Sequence, residues 1–341
     1  MSKKALIIGI GGQDGSLLAD LLLRRNYIVS GTVKKIDKSS LFKLNELNII
    51  KSLKIYQYSI GNKKKLEKII KSSKPHEVYM LAGPSKPSLS FKDSKKFLIT
   101  YIKGTIDLLD LNLEFGGNLK IFLACSSEIF GEKKNSINFL NEDSIFEPTN
   151  PYGLAMLNVI NLANMYRKFY NLYISTGIFF NHESYLRPAT FISRKITYNL
   201  AKFYFNNRKS FKIGNMNAKK DWTAAEDIVN GIFLSMQLAN SDNYIFSSGK
   251  HHSVKDFIKV ASRHLGIDVY FKNSGVNEKC FCSKTNKLIT QSDIKYYRFN
   301  NTGINIGNST KAKKILHWEP KISFAKMIIN MLDYDIKKMK N

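Results

Sequence analysis

The chain predicts an α/β protein: a Rossmann-like doubly wound parallel sheet with a smaller C-terminal substrate-binding lobe. Three observations carry this: a glycine-spaced turn directly after an apolar run, repeated alternation of apolar runs with helical periodicity, and loss of that alternation beyond Asn181. At 341 residues there is enough chain to bury a large core.

The first element is the run Ala5-Leu6-Ile7-Ile8, followed by Gly9, Gly12 and Gly15 in a G-x-x-G-x-x-G spacing and then Leu17, Leu18, Leu21 and Leu22 at helical intervals. A buried strand, a turn without side chains and a helix N-terminus make a site for a dinucleotide pyrophosphate. Gly9 permits the tight turn, Gly12 lets the backbone approach phosphate, and Gly15 lets the helix pack on the strand. A second strand, Tyr27 to Val33, completes a βαβ unit and runs into Lys34 and Lys35. An acidic residue here would grip a ribose 2′-hydroxyl, whereas cations accommodate a 2′-phosphate, so the sequence favours NADP(H) over NAD.

Further strands are expected at Leu53 to Tyr58, Glu77 to Ala82, Leu119 to Cys125 and Tyr173 to Phe180, with the clearest helices at Leu98 to Phe115 and Tyr152 to Phe169. Ligands collect at the carboxyl ends of such strands. The residues there are Gly9 to Gly15, Leu81-Ala82-Gly83, Ser126-Ser127-Glu128 and Asn181-His182-Glu183.

After Asn181 a helix from about Pro188 to Phe205, a loop at Ile213-Gly214-Asn215, a helix from Ala225 and a short strand at Tyr244 to Ser247 suggest the smaller lobe. The division expected is residues 1–180 for cofactor and 181–341 mainly for substrate, with some late segments returning to the sheet. No repeat or Pro/Gly/Ser-rich linker separates an independent domain.

Composition narrows the function classes. The formal charge is +26, but the lysines are scattered in short groups along the whole chain rather than gathered in a stripe. That distribution argues against nucleic acid as the partner while still drawing anionic small molecules. No apolar run reaches membrane-spanning length, and Met1-Ser2-Lys3-Lys4 leads straight into the first strand, so the expectation is a cytoplasmic protein with no membrane partner. Cys125 is expected at a strand end and Cys280 and Cys282 in a late loop; with neither a disulfide framework nor a zinc spacing, no metal site is expected.

The chemistry-bearing group is Ser126, Glu128 and Tyr152. A hydroxyl, a carboxylate and a phenol at the carboxyl edge, facing a nicotinamide, suit oxidation of a sugar alcohol with proton shuttling. Glu128 could remove a carbon-bound proton once the neighbouring carbon is a ketone.

On these residues the chain resembles the extended short-chain dehydrogenase/reductases, and within them the GDP-mannose 4,6-dehydratase family. The likeness runs nearly end to end through Gly9 to Gly15, Leu81 to Phe91, Ser126 to Gly131, Pro148 to Tyr152, Phe180 to Ser184, Thr190 to Lys195, Ile213 to Trp222 and Lys311 to Phe324. The Asn-His-Glu and G-N-x-x-A-K-x-D-W blocks are far more specific than the glycine turn. The resemblance implies that Ser126 takes the place of a catalytic threonine, Glu128 of the acid/base and Tyr152 of the catalytic tyrosine. It adds Gln13, Asp14, Ser59, Leu81, Ala82, Tyr152 and His182 to the cofactor contacts. It places Ser85, Asn181, Glu183, Lys195, Gly214, Lys220 and Arg298 around a nucleotide diphosphate sugar such as GDP-mannose, and implies a dimer or tetramer. The implied reaction passes hydride from hexose C4 to NADP⁺, loses water across C5 and C6, and returns the hydride to C6.

One departure bears on catalysis. The family carries Tyr-x-x-x-Lys, and here Tyr152 is followed one turn later by Met156. Methionine can neither lower the phenol pKa nor bond a ribose. Three readings follow: an active 4,6-dehydratase, a related nucleotide-sugar 4-dehydrogenase, epimerase or reductase, and a non-catalytic cofactor-binding homologue.

Overall fold

The structure is a computed structural model and describes residues 2–84, 87–131, 137–205, 210–297 and 303–340. Seven strands form the main sheet: β1 (Lys4–Ile8), β2 (Ile28–Val33), β3 (Lys54–Gln57), β4 (Glu77–Met80), β5 (Lys120–Ser126), β6 (Ile174–Phe179) and β7 (Asn243–Phe246). All pair in parallel, in the order β7-β6-β5-β4-β1-β2-β3. The chain reverses its direction of sheet growth between β1 and β4. A crevice opens there at the carboxyl ends, where ligands of such sheets lie.

Strand β1 shows why the sheet needs helices on both faces. Leu6 and Ile8 enter one core with Val78, Leu123 and Ile178, under the helices Lys63–Ser73, Gly104–Glu114 and Pro151–Tyr170. Ala5 and Ile7 point the other way, into a second core with Tyr79, Phe122 and Phe246 under the helices Gln13–Arg24 and Ala225–Ser235. Alternation along one strand thus fills two cores, the pattern of a doubly covered parallel sheet.

A third core defines the small lobe. Ile196 and Leu200 of the helix Ile192–Tyr204, Phe257 of Val254–His264 and Met327 and Leu332 of Phe324–Lys340 close around Trp222. A four-stranded sheet flanks it, in the order Val269–Lys272, Lys279–Cys282, Leu288–Ser292, Phe211–Ile213. Cys280 and Cys282 therefore lie in a strand rather than the expected loop, because alternate positions bury both thiols while Phe281 lies between them half-buried. Residues 181–341 do not all belong to this lobe: β7 and the helices Ala225–Ser235 and Thr310–Leu316 pack on the main sheet.

The expected helix from Leu98 to Phe115 is interrupted. Helical residues Ser94–Leu98 pass into a π-helical turn, Ile99–Lys103, before the helix Gly104–Glu114 resumes. Among the described residues no helix is long and apolar enough to cross a membrane.

Candidate active site

The glycine turn is shaped by close approach. Gly9 adopts φ +96°, and a Cβ there would lie 2.8 Å from the Ala82 backbone at the end of β4. A Cβ on Gly15 would come within 2.3 Å of the Gly9 carbonyl oxygen, so that glycine presses the helix onto the turn. Gly12 caps the helix Gln13–Arg24 with no side-chain hydrogen bond. The first helical N–H groups, which lack intrahelical acceptors, therefore face the cleft together with the positive end of the helix dipole.

Gln13 and Asp14 tie this helix to the segment after β6. Gln13 Nε2 donates to the His182 carbonyl at 3.3 Å, and its Oε1 accepts from Ser184 Oγ at 3.0 Å. His182 Nδ1 lies 2.9 Å from the Phe180 carbonyl oxygen and Nε2 lies 2.9 Å from Asp14 Oδ2. Both neighbours are acceptors, so the ring is held with a proton on each nitrogen. Burial opposes that charge, but Asp14 outweighs it and raises the His182 pKa. In turn, burial pushes Asp14 up while the His182 charge and hydrogen bond bring it down to about 2.

Glu183 departs from the expectation of a substrate contact. It is 2% exposed, accepts from Ser193 Oγ at 2.6 Å and lies 3.2 Å from Arg187 Nε. A buried carboxylate needs such partners. Its ion pair positions Arg187, which lines the cleft with its guanidinium over the Phe191 ring at 3.8 Å.

The cleft measures about 800 Å³ and brings together Gly12 to Gly15, Leu81, Ala82, Ser126, Glu128, Tyr152, Met156, Asn181, His182, Lys195, Gly214 and Lys220. Tyr152 reaches it because the helix Pro151–Tyr170 starts unusually close to the turn after β5. A Cβ on Gly153 would be 2.4 Å from the Glu128 carbonyl oxygen. Asn150 caps that helix by accepting from Gly153 N at 2.9 Å, and its amide donates to Glu128 Oε2 at 2.7 Å. One cap therefore fixes both the phenol and the carboxylate.

Tyr152 and Ser126 line the same cleft, where the Ser126 hydroxyl oxygen accepts from Glu128 N at 3.3 Å. The Tyr152 pKa stands well above the usual phenol range, through burial first and then the neighbouring Cys125 and Glu128, with Ser126 and the Arg187 charge opposing. Met156 is 1% exposed among Cys125, Val159, Ile160 and Phe180, and still borders the cleft.

On the small-lobe side, Lys195 Nζ lies 3.8 Å from the Tyr296 ring centroid. A Cβ on Gly214 would be 2.3 Å from the Tyr296 carbonyl oxygen, so Gly214 admits this chain crossing. Lys220 precedes Asp221, whose carboxylate accepts from the backbone of Ser248, Gly249 and Gly307 and anchors the strand Lys219–Ala224.

Lys34, Lys35 and Ser59 are exposed beyond the ends of β2 and β3 and do not line the cleft. Ser85 and Arg298 lie outside the described residues. Sequence reasoning missed Lys43, Tyr101, Asn150 and Arg187. Lys43 extends from the helix Lys38–Glu46 to donate to the Gly11 carbonyl at 3.0 Å, where burial lowers its pKa against the pull of Asp14. No sequence spacing marks a residue that returns to a turn 32 positions earlier.

The family described as GDP-mannose 4,6 dehydratase matches residues 6–331. The chain belongs to the GDP-mannose 4,6-dehydratase family. It is 33% identical over 344 residues to the GDP-mannose 4,6 dehydratase of Homo sapiens, covering 98% of this chain and 92% of that one. The same fold occurs in dTDP-glucose 4,6-dehydratase from Bacillus anthracis in complex with NAD, at a TM-score of 0.80 and 17% identity over 99% and 98% of the two chains. It also occurs in RMD from Pseudomonas aeruginosa complexed with NADPH, at a TM-score of 0.78 and 15% identity over 99% and 100%. In this member of the GDP-mannose 4,6-dehydratase family the Asn181-His182-Glu183 block is the hub joining the glycine turn to the cleft.

Proposed function

We propose that this chain converts GDP-mannose to GDP-4-keto-6-deoxymannose through a bound NADP. The observation that carries this is the assembly of Ser126, Glu128 and Tyr152 in one cleft with the uncapped N-terminus of the helix Gln13–Arg24. The donor set fits a dinucleotide: side-chain-free turns at Gly9, Gly12 and Gly15, an open helix end, and Lys43 beside it. A nicotinamide held there would supply the acceptor for the C4 hydride and the donor for C6.

The protein's own residues move the protons. Ser126 and Tyr152 hold the C4 hydroxyl, and Tyr152 accepts its proton as hydride leaves. Glu128 then takes the C5 proton, made acidic by the 4-ketone, and passes it to the departing C6 hydroxyl to release water; when hydride returns to C6, C5 is protonated through Glu128 and Tyr152 gives up the proton it took from the C4 hydroxyl, so the protons balance. The chain thus loses water from the sugar with no net change in cofactor. Lys195 and Lys220, on the same cleft, suit the diphosphate.

NADP is favoured over NAD by Lys34 and Lys35 past β2, with Lys43 adding a third cation near the turn. Exposed Leu154, Met165 and Phe169 form one face of the helix Pro151–Tyr170, which suits self-association into a dimer or tetramer. Light scattering measures that mass directly.

A second reading, a cofactor-binding homologue that does not complete the cycle, is favoured by Met156 alone. Incubation with GDP-mannose and NADP⁺, followed by NMR of the sugar, separates the two: a 4-keto-6-deoxy product supports the first, and unreacted GDP-mannose despite binding of both ligands supports the second.

A further inference from the structure

Tyr101 occupies a place prepared for it. It sits in the π-helical turn Ile99–Lys103, a rare geometry that recurs at functional sites. Its ring centroid lies 5.6 Å from that of Tyr152, while Phe97 packs edge-on to Tyr152 at 5.9 Å. Gly83, at φ +158°, leaves the space: a Cβ there would be 2.3 Å from the Tyr101 hydroxyl oxygen. The Tyr101 hydroxyl donates to the Pro84 carbonyl at 3.0 Å, and burial and then the neighbouring Tyr152 phenol raise its pKa well above the usual phenol range. Both phenols line the cleft.

The surroundings of Tyr152 define what is missing. Met156 brings no charge, and the Cys125 thiol donates to the Met156 carbonyl at 3.4 Å instead of to the phenol. Glu128 and Cys125 oppose a phenolate, Ser126 favours it, and the Arg187 charge favours it while paired to Glu183. Buried anions need donors aimed at them before the charge forms.

We propose that Tyr101 replaces the absent lysine as the positioning residue for Tyr152: its O–H swings from the Pro84 carbonyl to the Tyr152 oxygen and holds the phenolate while proton transfer occurs. No covalent bond forms or breaks at Tyr101. Its proton stays on its own oxygen and changes acceptor by rotation about the ring C–O bond. A neutral donor suits this dry pocket, where an ammonium would cost more to bury. The inference rests on the dehydratase reading for its rate consequences, but the contact between the two phenols stands apart from it.

The test is Tyr101→Phe, which keeps the ring and removes only the hydroxyl. Turnover of GDP-mannose with NADP⁺ is followed against pH, together with calorimetric affinities for both. The ionisation of Tyr152 is read separately by fluorine NMR of 3-fluorotyrosine-labelled protein, its resonance assigned through Tyr152→Phe. Tyr101→Phe should lower kcat near neutral pH about tenfold, move the rising limb and the fluorine midpoint up by about one unit, and leave KM nearly unchanged. Met156→Lys in the Tyr101→Phe background should restore most of the rate. An unchanged fluorine midpoint, or lost affinity with an unchanged midpoint, overturns the proposal. If the unsubstituted protein forms no product and the midpoint still rises in Tyr101→Phe, the phenol contact is supported and the dehydratase reading fails.

Discussion

His182 Nε2 lies 2.9 Å from Asp14 Oδ2, so the first turn of the glycine-loop helix is bonded to the segment that carries Asn181 and Arg187. Removing one partner of a buried charged hydrogen bond costs about 1.5–3 kcal/mol. Asp14→Asn should therefore destabilise the fold by about that amount and weaken NADP⁺ binding. The pH dependence has a defined sign. His182 is raised above 6.5, so its contribution is full below that value and lost as pH rises through the folded pKa. Asp14 is lowered to about 2, so its contribution is present above 3.8 and lost as pH falls through the folded value. Urea midpoints should show the gap between the native protein and Asp14→Asn widest near pH 5 and narrower at both extremes.

Gly153 should tolerate no side chain. Its Cβ would meet the Glu128 carbonyl oxygen at 2.4 Å, and backbone cannot swing aside as a flexible side chain can. Gly153→Ala should cost about 1–3 kcal/mol of stability and separate Tyr152 from Glu128. Thermal unfolding should record the first effect. Steady-state kinetics should record the second, as a larger fall in kcat than in affinity for NADP⁺.

The lysines around the turn should set cofactor preference. Lys34→Asp combined with Lys35→Ala should narrow the preference for NADP⁺ over NAD⁺ in equilibrium binding. Lys43→Ala should weaken both cofactors, because its ammonium lies on the Gly11 carbonyl of the turn itself at 3.0 Å.

The parallel sheet was legible because β1, β2 and β4 to β6 are short apolar runs bounded by turn residues. That Ser126, Glu128 and Tyr152 would meet in one cleft was legible because Ser126 ends β5, Glu128 comes two residues later and Tyr152 follows Asn150-Pro151. What escaped has a common cause. Lys43, Tyr101 and Arg187 gain their roles from chain crossings that no spacing encodes, and Glu183 shows its structural use only once Ser193 and Arg187 are placed against it. The lobe sheet escaped because strands as short as Phe211–Ile213 carry too few alternations to read.

Met156→Lys should raise the rate near neutral pH. The N-terminus of the helix Pro151–Tyr170 favours a phenolate by only about 0.3–1 kcal/mol, less than the pKa unit or more that a neighbouring ammonium supplies. Met156 borders the cleft, so a lysine of similar length can direct its charge there. The pH optimum for 4-ketone formation should move downwards. A rate and optimum identical to the native protein would show that the phenol pKa does not limit turnover.

The most direct test follows one isotope. GDP-mannose carrying deuterium at C4 is incubated with the protein and a catalytic quantity of NADP⁺, and the product sugar is read by NMR. The account predicts a 4-keto-6-deoxy sugar with deuterium at C6 and no accumulation of NADPH. Unreacted GDP-mannose in the presence of both bound ligands would contradict it, as would a 4-keto sugar that keeps its C6 hydroxyl while NADPH builds up.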